Sequence, residues 1–164
     1  MLVASEAMVV LFILLRRPTT AISHRLSDWL VGFGGTTAGL CVISADGPPL
    51  MPTPLCGLLM LIGFCVSVGA KLTLRRSFGL VAANRGVIVK GPYRLVRHPM
   101  YAGYLMIYVG YLLSGPNAWN LFVYALTTTL QIVRVLAEER VLRRDPLYQQ
   151  FCAKVRYRLI PLVF

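Results

Sequence analysis

The chain has 164 residues, 57% of them apolar and only 14% charged, with 17 Lys+Arg against 6 Asp+Glu. A mean hydropathy of +0.67 excludes disorder, which needs low hydrophobicity and high charge density. So few charges also exclude an ordinary soluble domain, where they make up about 25%. A net charge of +11 on so apolar a chain points to a lipid surface rather than to nucleic acid, and the length fits a single domain.

Residues 2–15 (LVASEAMVVLFILL) are apolar apart from Ser5 and Glu6 and read as a first membrane span. Its arginines follow the apolar run instead of preceding it, which is not the pattern of a secretory signal. A second span is expected over 29–44, where GFGG (32–35), Thr36, Thr37 and Gly39 make a small-residue face for close helix packing. The breaker run DGPPLMPTP separates it from a third span over 55–70. Then comes the most polar stretch, RRSFGLVAANRGVIVKGPYRLVRHPMYAGYL. Its glycines and prolines imply tight turns, with Val87–Val89 briefly extended and Pro99 in the first turn of a helix. A fourth span covers 99–113, SGPN breaks the chain, and a fifth covers 118–137. Asp145-Pro146 starts a last helix. Leu147, Phe151 and Val155 recur there every four residues, as in an amphipathic helix that lies on the cytosolic leaflet or closes over a cavity.

The expected fold is therefore an all-α polytopic transmembrane bundle of about five spans, each ~21–30 Å long against a hydrocarbon core of ~30 Å. The basic residues fall in three clusters: Arg16, Arg17 and Arg25; Lys71, Arg75, Arg76, Arg85, Lys90, Arg94 and Arg97; and Arg134, Arg140, Arg143, Arg144, Lys154, Arg156 and Arg158. Five spans put all three on one side, which the positive-inside rule makes the cytosol, with the amino terminus outside. His24 reads as solvated. Cys41, Cys56, Cys65 and Cys152 show no C-x-x-C spacing, which argues against a disulfide scaffold or a metal site and for buried small apolar side chains. No P-loop or H-E-x-x-H motif occurs, and no soluble stretch is long enough for a Rossmann domain. Any cofactor must be held by helices and short cytosolic loops.

Two polar stripes cross the last two spans. Asn120, Tyr124, Thr127, Gln131, Arg134 and Glu138 are spaced 4, 3, 4, 3 and 4 apart, hence on one helix face. Such a face avoids acyl chains and lines either a packing seam or a wet cavity; Arg134 and Glu138, one turn apart, can pair. Arg97, Tyr101, Tyr104, Tyr108 and Tyr111 make a matching stripe on the fourth span, whose hydroxyls need partners. His98 falls at the cytosolic mouth of the space between them.

GPYRLVRHPMYAGYL (91–105), RVLAEERVL (134–142) and DPLYQQFCAKVRYRLIP (145–161) together resemble the isoprenylcysteine carboxyl methyltransferase family, which belongs with the phospholipid methyltransferases among integral-membrane enzymes using S-adenosylmethionine. The resemblance covers about residues 70–161. It implies one integral-membrane methyltransferase domain over 1–164, with scaffold helices in 1–70 and a catalytic region in 71–164. It implies further that Arg85, Gly86, Val87, Ile88, Tyr93, His98, Pro99, Met100 and Tyr101 line the cofactor, that Glu138 is its acidic contact, and that Arg134 holds the substrate. Tyr104 and Gln131, within the two stripes, are further candidates for contact with the acceptor. The implied reaction is methyl transfer to a lipophilic acceptor, the carboxylate of an isoprenylcysteine-like molecule or else a phospholipid amine. The chain is short for the prenylcysteine enzymes, which leaves the acceptor open. A small transporter or a non-catalytic membrane scaffold is the rival from another class.

Overall fold

The computed structural model describes residues 10, 11, 14, 15, 18, 19, 22, 23, 25–44, 47–77, 79, 82–161 and 163. Most of the expected first span, with Glu6, Arg16, Arg17 and His24, lies outside them. The described residues form five α-helices and no strand: α1 Leu26–Thr37, α2 Thr53–Leu74, α3 Pro99–Ser114, α4 Ala118–Leu142 and α5 Pro146–Lys154. Short 3-10 turns follow α1 and α2 and precede α3.

The sequence punctuates these helices where the chain breaks. Prolines occupy the first turns of α2, α3 and α5, where a missing N–H costs nothing. Asn117 and Asp145 accept hydrogen bonds from the backbone N–H groups of Trp119 and Leu147 at the starts of α4 and α5. Gly115 ends α3. Val87–Val89, expected to be briefly extended, form no strand; the nearby pairing is an isolated bridge between Ile22 and Ala83.

The second apolar stretch differs from expectation. Its helix starts earlier, at Leu26, and gives way to a 3-10 turn at Ala38–Cys41. Thr36 and Thr37 hydrogen-bond back to the carbonyls of Gly32 and Phe33 in its last turn, a habit that bends helices. By length and composition α2 and α4, with 22 and 25 residues, can cross a membrane. α1 and α3 are shorter, at 12 and 16 residues.

Packing is closest between α2 and α3. A Cβ on Gly103 would stand 2.5 Å from the Gly63 carbonyl oxygen and 2.8 Å from the Ser67 nitrogen, so the two backbones touch. α1 lays Gly34 and Gly35 against Leu130 of α4, which is the small-residue face read from GFGG; Gly39 meets nothing. At the end of the bundle away from the basic loops, Asn120 grips Ile43 through both its amide groups, at 3.0 Å each, and the Tyr111 hydroxyl donates to the same carbonyl. The buried core lies at the other end, where Ala70, Tyr93, Met100, Tyr101, Val135, Tyr148, Phe151 and Val155 come together. Of the four cysteines, which are free thiols, Cys56 is buried and Cys41 and Cys65 are exposed. The expectation of burial fails for those two, which stand on the outer surface of the described residues.

Candidate active site

Beside that core opens a cavity of about 90 Å³, partly open to solvent. Three pieces of chain wall it. The loop after α2 contributes Gly79, Ala83, Arg85, Gly86, Val87 and Ile88; the approach to α3 contributes Tyr93, Arg97, His98, Met100 and Tyr101; and α4 and α5 contribute Glu138, Leu142, Tyr148 and Phe151.

The loop wall is built from turns. Gly86 has φ 100 and Gly91 has φ 55, conformations that L side chains rarely adopt. Asn84 fixes the bend: its side-chain oxygen accepts from the Gly86 N–H at 3.0 Å and its amide donates to Asp145 at 2.8 Å. One carboxylate thereby both caps α5 and tethers the loop. The Asn84 amide and the Leu147 N–H hold the Asp145 carboxyl below its usual range.

On the helix side the Tyr101 hydroxyl donates to Glu138 Oε1 at 3.0 Å, and His98 Nδ1 stands 3.8 Å from the other oxygen. Arg134 Nε is 3.5 Å from Glu138 Oε1, and its guanidinium lies 5.7 Å from the centroid of the Tyr101 ring, a cation–π distance. Arg134 also donates to the Gly79 carbonyl at 3.0 Å and to Thr36 at 3.5 Å, so one buried arginine joins α1, α4 and the loop. Tyr93 is buried beside Glu138, and desolvation above all keeps its phenol protonated.

Nine of the residues implied to line the cofactor do wall this cavity: Arg85, Gly86, Val87, Ile88, Tyr93, His98, Met100, Tyr101 and Glu138. Pro99 is fully buried in the first turn of α3 and does not face the cavity, because it is spent on starting the helix. Arg134, paired with Glu138 one turn away, does not itself line the cavity. Tyr104 and Gln131 lie deeper and do not line it. Gln131 donates to the Tyr108 hydroxyl at 2.8 Å, and the ring of Tyr104 meets those of Tyr101 and Tyr108, with Lys71 Nζ 5.3 Å away. Lys71, grouped by sequence with the cytosolic charges, is wholly buried because α2 runs on to Leu74.

Two features escaped the sequence. Glu139, 2% exposed, takes Arg97 at 2.8 Å, Arg158 at 3.0 Å and Arg143 at 3.3 Å, with His98 Nε2 at 3.4 Å. It sits one residue from Glu138 but about 100° around the helix, so it serves a different surface. Arg97 and His98 also receive the tail: their N–H groups donate to the carbonyls of Tyr157 and Arg158 at 2.9 and 2.8 Å. The second is the face of α5. Tyr148, Phe151 and Val155 are buried while Leu147 is 63% exposed. The helix therefore closes over the cavity, and its inward face is turned one residue from the Leu147–Phe151–Val155 line. A buried carboxylate with several cationic partners leaves no periodic trace; the signal available was the doubled acid in AEER beside an excess of arginines.

A family model described as phospholipid methyltransferase matches residues 54–149, from the start of α2 into α5. No curated protein matches the chain. The family match spans more than half of the sequence, and the chain belongs to the phospholipid methyltransferase family.

Proposed function

We propose, with that membership as the premise, that the chain is a multi-pass membrane enzyme that transfers a methyl group from S-adenosylmethionine to a lipophilic acceptor. The family supports methyl transfer at a membrane. The observation that carries the cofactor reading is the meeting, in one cavity, of a carboxylate (Glu138), an apolar slot (Val87, Ile88, Leu142, Phe151) and buried polar groups (His98, Tyr101, Tyr93). Glu138 is suited to an ammonium, the slot to a purine, and the loop glycines allow close approach of backbone. Bound there, S-adenosylmethionine supplies an electrophilic methyl group. The chain's own work is then to align the acceptor and exclude water, since the displacement needs positioning more than proton transfer.

Arg134, buried beside Glu138, is the group suited to an anionic acceptor through charge-assisted bonds. The acceptor atom in this reading is a carboxylate oxygen, as in an isoprenylcysteine-like or other hydrophobic acid, and no general base is required. The family model's own description favours a second reading, an amine headgroup. Arg134 would then hold the headgroup phosphate and His98, beside Glu138, would take the proton. The acceptor enters from the bilayer and the cofactor from the cytosol. The whole chain works as one domain, 1–70 as scaffold and 71–164 as catalytic region, in five spans with the basic loops and the carboxyl end cytosolic. Tyr104 and Gln131 act in this reading on the acceptor's path.

Two experiments test this. Purified protein is titrated with S-adenosylhomocysteine, and absence of saturable binding in folded sample rules out the cofactor. A lipid extract incubated with labelled methyl donor, followed by mass identification, separates an ester product from a methylated amine. For orientation, an impermeant maleimide applied from outside should label Cys41 and spare Cys152; the reverse pattern overturns it.

A further inference from the structure

Tyr148 is 3% exposed, lines the cavity, and meets the Phe151 ring edge-on at 5.8 Å. Its hydroxyl proton finds no acceptor among the described residues; the Arg97 guanidinium, another cavity side chain, lies within reach of the hydroxyl, and its Nε likewise lacks a well-aligned acceptor. The two terminal nitrogens of Arg97 are already engaged: Nη1 by Glu139 and by Cys152 at 3.4 Å, Nη2 by the Arg156 carbonyl at 2.6 Å. Cys152 stands one turn along α5 from Tyr148, so guanidinium and phenol share one end of the cavity. Burial raises the Tyr148 phenol above its ordinary range, with the Glu139 charge adding to the effect, and the group is a donor at any physiological pH. Buried donors left without an acceptor are costly and uncommon. Two of them side by side in one cavity wall call for an acceptor with two lone-pair-bearing oxygens.

We infer that the Tyr148 hydroxyl and Arg97 Nε form a carboxylate subsite at the α5 end of the cavity. Resting on the cofactor reading above, its occupant is the carboxylate of the amino-acid portion of S-adenosylmethionine. The Glu139 charge opposes an anion there, and its partners Arg97, Arg143 and Arg158 offset that repulsion. Glu138, the cavity's own carboxylate, is left for the ammonium.

The test is calorimetric titration of the full chain with S-adenosylhomocysteine and with 5′-methylthioadenosine, which lacks the amino-acid portion. Tyr148→Phe should weaken S-adenosylhomocysteine about tenfold, as for a lost hydrogen bond to a charged group. It should leave 5′-methylthioadenosine and the unfolding temperature unchanged. Equal losses for both ligands, or no loss for either, overturn the subsite. An unchanged S-adenosylhomocysteine affinity with a raised KM for a carboxylate acceptor also overturns it, by moving the subsite to the acceptor. If the wild-type chain binds neither ligand, the cofactor reading falls and this inference with it.

Discussion

Toward α2, helix α3 presents Gly103 and Gly110, and the backbones touch. Toward α4 it presents Tyr101, Tyr108 and Tyr111, and rings and hydroxyls hold the helices apart: Tyr101 on Glu138, Tyr108 on Gln131 and stacked 4.5 Å from Tyr124, Tyr111 on Ile43. One interface fixes where α3 lies. The other leaves room for polar chemistry inside an apolar bundle, with the Tyr101, Tyr108 and Tyr111 hydroxyls each answered from outside α3. Close packing and a functional space can thus share a single helix, provided they use opposite faces.

The largest effect should come from breaking the tight face. Gly103→Leu forces side-chain atoms into the Gly63 carbonyl, and no monodisperse protein should survive size-exclusion chromatography in detergent. Gly39→Ala, with nothing within 4 Å, should elute as wild type; equal behaviour of the two would refute the contrast. Next comes Glu139→Ala, which leaves the Arg97 guanidinium, only 10% exposed, without its carboxylate and should cost about 3 kcal/mol in equilibrium unfolding. Glu138→Gln, on the open face with its side chain 21% exposed, keeps an acceptor for Tyr101 while removing the charge beside buried Arg134; it should cost less stability than Glu139→Ala yet weaken S-adenosylhomocysteine at least tenfold. A loss of fold there would make Glu138 a second Glu139.

The smallest effect is on the tether. Because the folded Asp145 carboxyl titrates below its unfolded value of about 3.9, its contribution is complete above that value and is lost as pH falls through the folded one. Melting curves from pH 6 to pH 3 should therefore show wild type approaching Asp145→Asn only at the acid end. A gap that is constant with pH would discount the tether.

Much of the open face was legible in the sequence, because a stripe at 3.6-residue spacing has to point somewhere and hydrocarbon is the costly choice. The burial of Asn120 and Thr127 follows from that spacing, as does the expectation that the tyrosine hydroxyls meet the facing stripe; which pairs form, Tyr101–Glu138 and Tyr108–Gln131, came only from the structure. The stripe's two halves were not distinguishable: Asn120 clasps backbone at one end while Glu138 walls a cavity at the other, and spacing cannot tell a seam from a space. The tight face was hidden, since Gly63 and Gly103 are single glycines in apolar runs. Glu139 was hidden too, its partners lying 42 and 19 residues away in sequence.

The brevity of α3 has a further consequence on the multi-pass reading. Its 16 residues reach about 24 Å, against a hydrocarbon layer of about 30 Å. Lipids flanking it must dimple inward to meet its ends. Headgroups there ride nearer the midplane than elsewhere, and a molecule anchored by its tail is lowered toward Tyr101 and Glu138 without leaving its leaflet. Where a soluble transferase deepens its cleft to reach a substrate, on the multi-pass reading this helix would let the membrane sag to deliver one.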